Sequence, residues 1–521
     1  MKKVKVVALL MTSFMLVGCS NNVVIPEIDV EKIQINLPAL PTFNQGEIKT
    51  DGTYDYIDLY EVSDFHGAVN FSEEDKTIGL SKLSGLLADH RKDNKGGTVV
   101  VSSGDMWQGS AESNLTKGFL VTYAMNYMGF DAMTLGNHEF DWTTEWIKKN
   151  KNIANFPFLA ANLYQKGTNN LADFVVPSKI IERGDYKIGL IGTMGEGIES
   201  SIIKSAFADF ELKNEKEVVK SEAQKLRDQG CNIVVWNSHY DETRIATRYG
   251  SPKDLGVNVV FGGHSHVNQS HMVDGVPMLQ TRNYGRGLAH AQLKIDKASK
   301  EVTAVEENCS VIEEPYSLEN LHNDSNIDSI KGQYDPEINR IKNIKVGSTD
   351  VELKVGSTLG NLCVKSMSEK AIEIVSKEEN LKYEVVLALH NLNGGIRSNI
   401  DAGDILYGDV YKSFPFDNEL VLVEYTGKDL KKALNYQSFN TLGGWHSYKD
   451  HRSELKDDKN YYVVTTDFVA TSPNFSIKKE ESDLIYLGIA VRDIVVNFIA
   501  TKRNIKGADY LSNSEHPEFR W

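Results

Sequence analysis

Cysteine is scarce in this sequence: Cys19, Cys231, Cys309 and Cys363 are the only four in 521 residues. Beyond Cys19, three scattered cysteines make no disulfide framework. Cys231 opens an apolar run and reads as a small buried residue, and none of the three is assigned chemistry. Basic charge is also short. Lys and Arg number 57 against 72 Asp and Glu, a formal net charge of −15. A nucleic-acid polymer needs a basic stripe, so none is expected as a partner. Small anionic substrates stay open, because a metal centre inverts the local field. After the first residues no apolar run approaches the roughly 20 residues of a transmembrane helix. Internal repeats and low-complexity tracts are absent as well. The rest of the composition, 41% hydrophobic and 25% charged, is that of a globular protein too long for one core.

The first segment is read as an address rather than as fold. Lys2, Lys3 and Lys5 form a basic region, and residues 6–17 are a short apolar stretch. Leu16-Val17-Gly18-Cys19 then resembles a bacterial lipobox, with Cys19 as the lipidated residue. The expectation is a signal peptide over 1–19 and a tether over 20–52, marked by Pro26, Pro38 and Pro41. The location that follows is the cell envelope, lipid-anchored and outside the cytoplasm.

From Tyr54 short apolar runs alternate with amphipathic stretches. Strands are expected over 57–62, 98–101, 187–192, 233–236 and 257–261. Helices are expected over 78–90, 115–128 and 214–229, the last two stopped by Gly129 and Gly230. This alternation is the mark of an α/β layered domain. A polar segment over 317–333 and a helix over 336–344 read as the connection to a second domain, 345–521, which mixes strands with helices.

Five segments place metal-ligand residue types just after apolar strands: Asp64-Phe65-His66, Gly104-Asp105, Gly136-Asn137-His138-Glu139, His239, and Gly262-Gly263-His264-Ser265-His266. In open α/β sheets ligands bind at the carboxyl ends of strands, so loops far apart in sequence can converge. Asp64 and His66 can offer a carboxylate and an imidazole to one ion. His264 and His266 can serve neighbouring ions, Asp105 can span both, and Asn137 offers an amide oxygen. A mixed oxygen and nitrogen set suits zinc, manganese or iron rather than calcium or magnesium. Two ions roughly 3.5–4 Å apart clamp the attacking and leaving oxygens of a phosphoryl transfer. The glycines at 104, 136, 262 and 263 suit tight turns beside a metal or phosphate.

These ordered motifs resemble those of the calcineurin-like metallophosphoesterases. Gly136-Asn137-His138-Glu139-Phe140-Asp141 is similar to the bacterial 5'-nucleotidase and UDP-sugar hydrolase branch. The resemblance implies an α/β fold, with an α+β four-layer domain over 53–316 in which two sheets lie between helices. A 5'-nucleotidase-type α/β domain would follow over 345–521, with 317–344 as linker and helix. It further implies Asp64, His66, Asp105 and His266 around one divalent ion, and Asp105, Asn137, His239 and His264 around a second. His138 would be the catalytic imidazole, oriented by Asp141. Zinc or manganese are the metals expected, and a metal-activated water the nucleophile. A carboxylate three residues from His138 would also fix its tautomer and raise its pKa.

The second half carries Asn393-Gly394-Gly395-Ile396-Arg397, the run Gly408-Asp409-Val410-Tyr411-Lys412-Ser413-Phe414-Pro415-Phe416-Asp417-Asn418, and Thr426-Gly427-Lys428-Asp429-Leu430, all similar to motifs of the same family. By that resemblance Arg397, Asn418, Phe416 and Phe468 contact the substrate, with the two rings sandwiching a base. Two aromatic faces suit a planar base and Arg suits a phosphate or ribose oxygen. The pattern departs after Phe468, where Thr471-Ser472-Pro473-Asn474-Phe475 replaces a Gly-Gly-Asp-Gly run, and at Leu392, where an Asn is usual. The expectation is a monomeric, lipid-anchored phosphoesterase acting on small phosphoesters, nucleotides first. Nucleotide sugars, cyclic nucleotides or another phosphomonoester are the alternatives, and a non-catalytic binding lipoprotein is the alternative of another class.

Overall fold

The computed structural model describes residues 25–43, 46–202, 204–391, 394–435, 445–448, 455–472, 479–480 and 483–519. Cys19 and the signal segment lie outside the described residues, as do Leu392, Asn393, Pro473, Asn474 and Phe475. Two compact units are present, one over Ile28–Pro336 and one built on Glu337–Trp521.

The first unit is organised by two six-stranded sheets. In one, Thr98–Ser102 lies between Tyr54–Glu61 and Ala132–Thr134, all parallel, with Phe158–Leu159 beyond. Gly287–Asp296 and Val302–Glu313 continue it antiparallel on the other edge. In the second, Tyr186–Met194, Ile233–His239, Val259–Gly262 and Val276–Gln280 run parallel. Antiparallel strands Ser178–Arg183 and Gln269–Val273 close its two edges. Ile57, Leu59, Val99 and Val101 of the first sheet share a buried core with Ile188, Leu190, Val235, Val259 and Phe261 of the second. That explains the Val99-Val100-Val101 run. A strand covered on both faces needs no polar alternation, and Thr98–Ser102 is buried throughout. Outside the second sheet, Val219, Ala223 and Leu226 of the helix Glu215–Asp228 pack on Val234, Trp236 and Val260. Asn214 caps this helix by accepting from the Glu217 amide.

Three expectations change. The helix expected over 115–128 is two helices, Ala111–Leu115 and Phe119–Met128. Gly118 breaks it with φ 79°, and a Cβ there would meet Trp107 Cγ at 2.7 Å. The helix expected over 336–344 begins eleven residues earlier, as Ser325–Lys342 with Pro336 inside it. Ile327, Ile330 and Tyr334 are buried, so the polar stretch before Pro336 still has an apolar stripe. The segment 20–52, expected as a tether, lies against the first unit from Ile28 onward. Several of its apolar residues find cover, while Leu37 and Leu40 stay exposed. Val30 is buried, Ile48 packs on the core between the sheets, and Phe43 lies under the Arg91 guanidinium at 4.3 Å.

In the second unit a five-stranded sheet runs in the order Trp445–Tyr448, Glu384–Asn391, Asn460–Thr466, Glu419–Thr426, Leu484–Ala490. Leu387, Leu389, Val421, Val423, Val463 and Val469 form its core. Cys231, Cys309 and Cys363 are buried and free. No helix among the described residues is long and apolar enough to cross a membrane.

Candidate metal centre

The parallel strands deliver the five ligand-rich segments to one place. Asp64, His66 and His266 form one group with ligand atoms within 4.8 Å of one another, and Asp105, His239 and His264 form a second. Asp105 Oδ2 sits between them, 3.1 Å from His239 Nε2 and 4.0 Å from His66 Nε2. Asn137 Oδ1 lies 3.2 Å from His239 Nε2 and 3.0 Å from His264 Nδ1, so the amide joins the second group.

The backbone here is strained. Asp64, His66, Asp105, His264 and His266 have φ of 51°, 48°, 54°, 73° and 58°. A side-chain residue held in the left-handed region costs about 1–3 kcal/mol and persists only where its surroundings over-determine it. They do so here. The Asp64 amide donates to Gly104 O at 2.9 Å, His66 to Asp105 O at 3.0 Å, and Gly67 to Met106 O at 2.9 Å. Two ligand loops are thereby laced together. The approach leaves no room at Gly136, where a Cβ would meet Asp105 Oδ1 at 2.2 Å.

The ring nitrogens are oriented from behind. His66 Nδ1 faces Gln108 O at 2.9 Å and His239 Nδ1 faces Ser103 O at 2.6 Å. A carbonyl only accepts, so each Nδ1 carries the proton and each Nε2 presents a lone pair inward. The His239 lone pair then meets the Asp105 carboxylate and the Asn137 amide oxygen, three acceptors around one point. Only a proton or a cation reconciles them. Burial pulls the His239 pKa down, but the Asp105, Asp64 and Glu139 charges outweigh it and raise it to about 10. Burial and the neighbouring His266 hold His66 down at about 3, and burial and His239 hold His264 at about 4. Burial would raise Asp64, yet His266 and His239 bring it to about 2. Two neutral imidazoles and two ionised carboxylates are the forms a divalent ion binds. The donor set therefore fits the expected pair of cations.

His138 Nδ1 lies 2.8 Å from Asp141 Oδ2, and its backbone amide donates to Asp105 Oδ1 at 2.8 Å. Its ring is 5.2 Å from the His66 ring, so it borders the first group. The sequence reading missed Glu139. This fully buried carboxylate accepts from the amides of Asp105 at 2.9 Å, Gly136 at 2.7 Å and Met106 at 2.9 Å. It clamps the loop of Asp105 to the loop of Asn137. A Glu beside His138 in the motif was the only available signal. Glu139→Gln keeps one acceptor oxygen and turns an NH2 toward an amide donor. The expected outcome is about 1–3 kcal/mol lower folding stability and ~10–100-fold weaker metal binding, read by denaturation and metal titration.

In the second unit the Arg397 guanidinium stands 5.1 Å from the Phe416 ring centre. Asn418 directly precedes Glu419–Thr426, and Phe468 follows Asn460–Thr466, its antiparallel partner. Buried Asp467 joins these ends, since its Oδ1 accepts from the amides of Glu419 at 3.1 Å and Phe468 at 2.8 Å. Burial, then the Glu419 charge, pushes Asp467 up to about 7. A carboxyl raised above its unfolded value loses stability as pH climbs from the unfolded pKa to the folded one, because the unfolded chain ionises first. Its contribution is therefore full below about pH 4 and falls by on the order of 3–4 kcal/mol by pH 7. Asp467→Asn keeps the shared acceptor without the ionisation. Its melting temperature is expected to gain on wild type from pH 4 to pH 8, and a gap independent of pH would refute the assignment.

Residues 59–268 match the family of calcineurin-like phosphoesterases, and residues 337–448 match the C-terminal domain of 5'-nucleotidases. The chain belongs to the metallophosphoesterases with a 5'-nucleotidase C-terminal domain, a family of hydrolases. It is 24% identical to Endonuclease YhcR of Bacillus subtilis (strain 168) over 80% of this chain, and the match spans only 37% of that protein. It is 26% identical to Protein UshA of Salmonella pullorum over 76% of this chain and 78% of that one. The fold is shared with a 5'-nucleotidase precursor from Thermus thermophilus, with TM-score 0.66 and 20% identity over 86% of this chain and 97% of the other.

Proposed function

We propose that this chain is an exported, lipid-anchored phosphoesterase that hydrolyses nucleotides at a pair of divalent cations. The observation that carries the reading is the convergence of two three-residue ligand groups on Asp105. Asp64, His66, Asp105 and His266 would hold one ion and Asp105, Asn137, His239 and His264 the other. Zinc and manganese both suit this oxygen and nitrogen set. Bound there, the two cations supply a water nucleophile at neutral pH and neutralise charge on the phosphoryl oxygens.

The chain's own residues do the rest. Asp141 takes the Nδ1 proton of His138 in a hydrogen bond, so the other ring nitrogen is the one offered to substrate. From there His138 stabilises the phosphoryl group or hands a proton to the leaving oxygen. Arg397, Phe416, Asn418 and Phe468 bind the nucleotide, the rings by stacking on the base. Nucleotides are supported by the 5'-nucleotidase C-terminal domain and by its matching motifs. The alternative substrates of the same mechanism are nucleotide sugars and cyclic nucleotides, motivated by the altered run from Thr471 to Phe475. The match to an endonuclease makes nucleic acid a necessary control, although the net charge of −15 opposes a polymer.

The test is metal analysis of the purified body lacking residues 1–19, then a panel of nucleoside monophosphates, nucleotide sugars, cyclic nucleotides, 4-nitrophenyl phosphate and DNA. Two zinc or manganese ions per chain and fastest hydrolysis of a nucleotide are expected. Absence of hydrolysis by the metal-loaded protein would sink the enzymatic reading. Export and anchoring are read separately, by lipid labelling that Cys19→Ala abolishes.

A further inference from the structure

The segment 414–418 carries two of the proposed substrate residues, yet it lies in neither helix nor strand. It leaves the helix Tyr407–Ser413 and enters the strand Glu419–Thr426. Pro415 has no amide to donate, and the carbonyls on either side of it need donors from elsewhere. Those donors come from a residue some 75 positions on. Arg492, in the first turn of the helix Val491–Lys502, is 7% exposed. Its Nη1 donates to Phe414 O at 3.2 Å and Phe416 O at 3.4 Å, and its Nη2 to the Asp417 carboxylate. The guanidinium also stands 3.9 Å from the Tyr411 ring centre. The preceding amide, Val491 N, donates to Asn418 O at 2.9 Å.

One rigid fork thus holds the backbone before and after Pro415 and the charge beside Phe416, while its neighbour holds Asn418. A lysine ammonium, a point charge on a flexible stem, does not reproduce a planar fork shared among three acceptors. Phe416 then has its backbone fixed on one side by Arg492, and its ring meets Arg397 at 5.1 Å on the other.

We propose that Arg492 is a positioning residue for substrate selection: it fixes the 414–418 segment so that Phe416 and Asn418 are presented to the nucleotide. The inference rests on the nucleotide reading above. It touches no reacting atom, so its loss acts on recognition rather than on the chemical step. Two variants test it in the full metal-loaded chain: Arg492→Lys, which keeps the charge without the fork, and Asp417→Asn, which keeps the shape on a partly exposed side chain. The expected result is an about tenfold fall in selectivity for a nucleoside monophosphate over 4-nitrophenyl phosphate, carried by KM rather than kcat, and larger for Arg492→Lys. Melting curves near wild type identify the variants as folded. A wild-type preference that survives in both overturns the inference alone. A wild type with no preference for the nucleotide overturns the substrate reading, and the inference with it. A fall carried by kcat on both substrates also overturns it, since that is the signature of a general structural role.

Discussion

Asp105→Asn is expected to lower phosphoester hydrolysis by ~10^3-fold or more, about 4 kcal/mol of transition-state stabilisation. The side chain is isosteric, so the loops have no steric reason to move. What changes is charge. Asp105 Oδ2 faces His239 Nε2 at 3.1 Å and stands 4.0 Å from His66 Nε2, so in the proposed centre its carboxylate is the ligand within reach of both groups. Asp105 is also held ionised, since the nearby histidines draw its pKa well below the carboxylate range against the opposing pull of burial. An amide keeps one neutral oxygen and offers the other position an NH2, which repels a cation. A ligand of one group, such as His266, leaves the second group whole when removed. The Asp105 variant should therefore lose more activity than His266→Asn and should fall from two bound ions toward none. Metal content and kcat/KM measured on the two variants decide it. An Asp105→Asn protein that hydrolyses phosphoesters as fast as wild type would rule out the dinuclear reading.

The ligand segments were legible because chemistry and topology coincide in them. Each follows an apolar run, and a parallel sheet brings the carboxyl ends of its strands to one edge, so order in sequence became proximity in space. Residues that act through backbone were not legible in the same way. Glu139 acts by accepting from three backbone amides, which leave no mark of their own in the sequence. Arg492 belongs to no motif in the sequence, and only the fold reveals that Phe414 and Phe416 turn their carbonyls toward it. The same limit explains the fold-level differences. Gly118 has the look of a helix interior until Trp107, eleven positions earlier, takes the space its Cβ would need. Ile48 lies in a stretch too poor in apolar residues to predict a fold, yet it packs on the inter-sheet core, whose surface exists only once both sheets have formed. The left-handed backbone at Asp64, His66, Asp105, His264 and His266 follows the same logic. Asp and His enter the left-handed region more often than most side chains but still rarely, so residue type alone does not foretell it, and the lacing of one loop to the next imposes it.

His138→Ala should remove activity without removing metal. The expected loss is ~10^2–10^4-fold in kcat, the range for a positioned general acid or a group that stabilises charge in the transition state. The reason metal is retained lies in the backbone. His138 supports the ligand set through its amide, which donates to Asp105 Oδ1 at 2.8 Å, and alanine keeps that amide. Asn137, the residue before it, and the Glu139 clamp after it are untouched. Asp141→Asn gives the graded case. The Nδ1 contact at 2.8 Å can survive in geometry, but an amide neither fixes the tautomer as firmly nor stabilises the charged ring, so a smaller loss, about 10–100-fold, is expected. The two sets of variants then separate two kinds of failure. Asp105→Asn loses ions and rate together, whereas His138→Ala loses rate at two ions per chain. If His138→Ala also emptied the centre, the imidazole would belong to the ligand set, and the division of labour between His138 and its neighbour Asn137 would have to be redrawn.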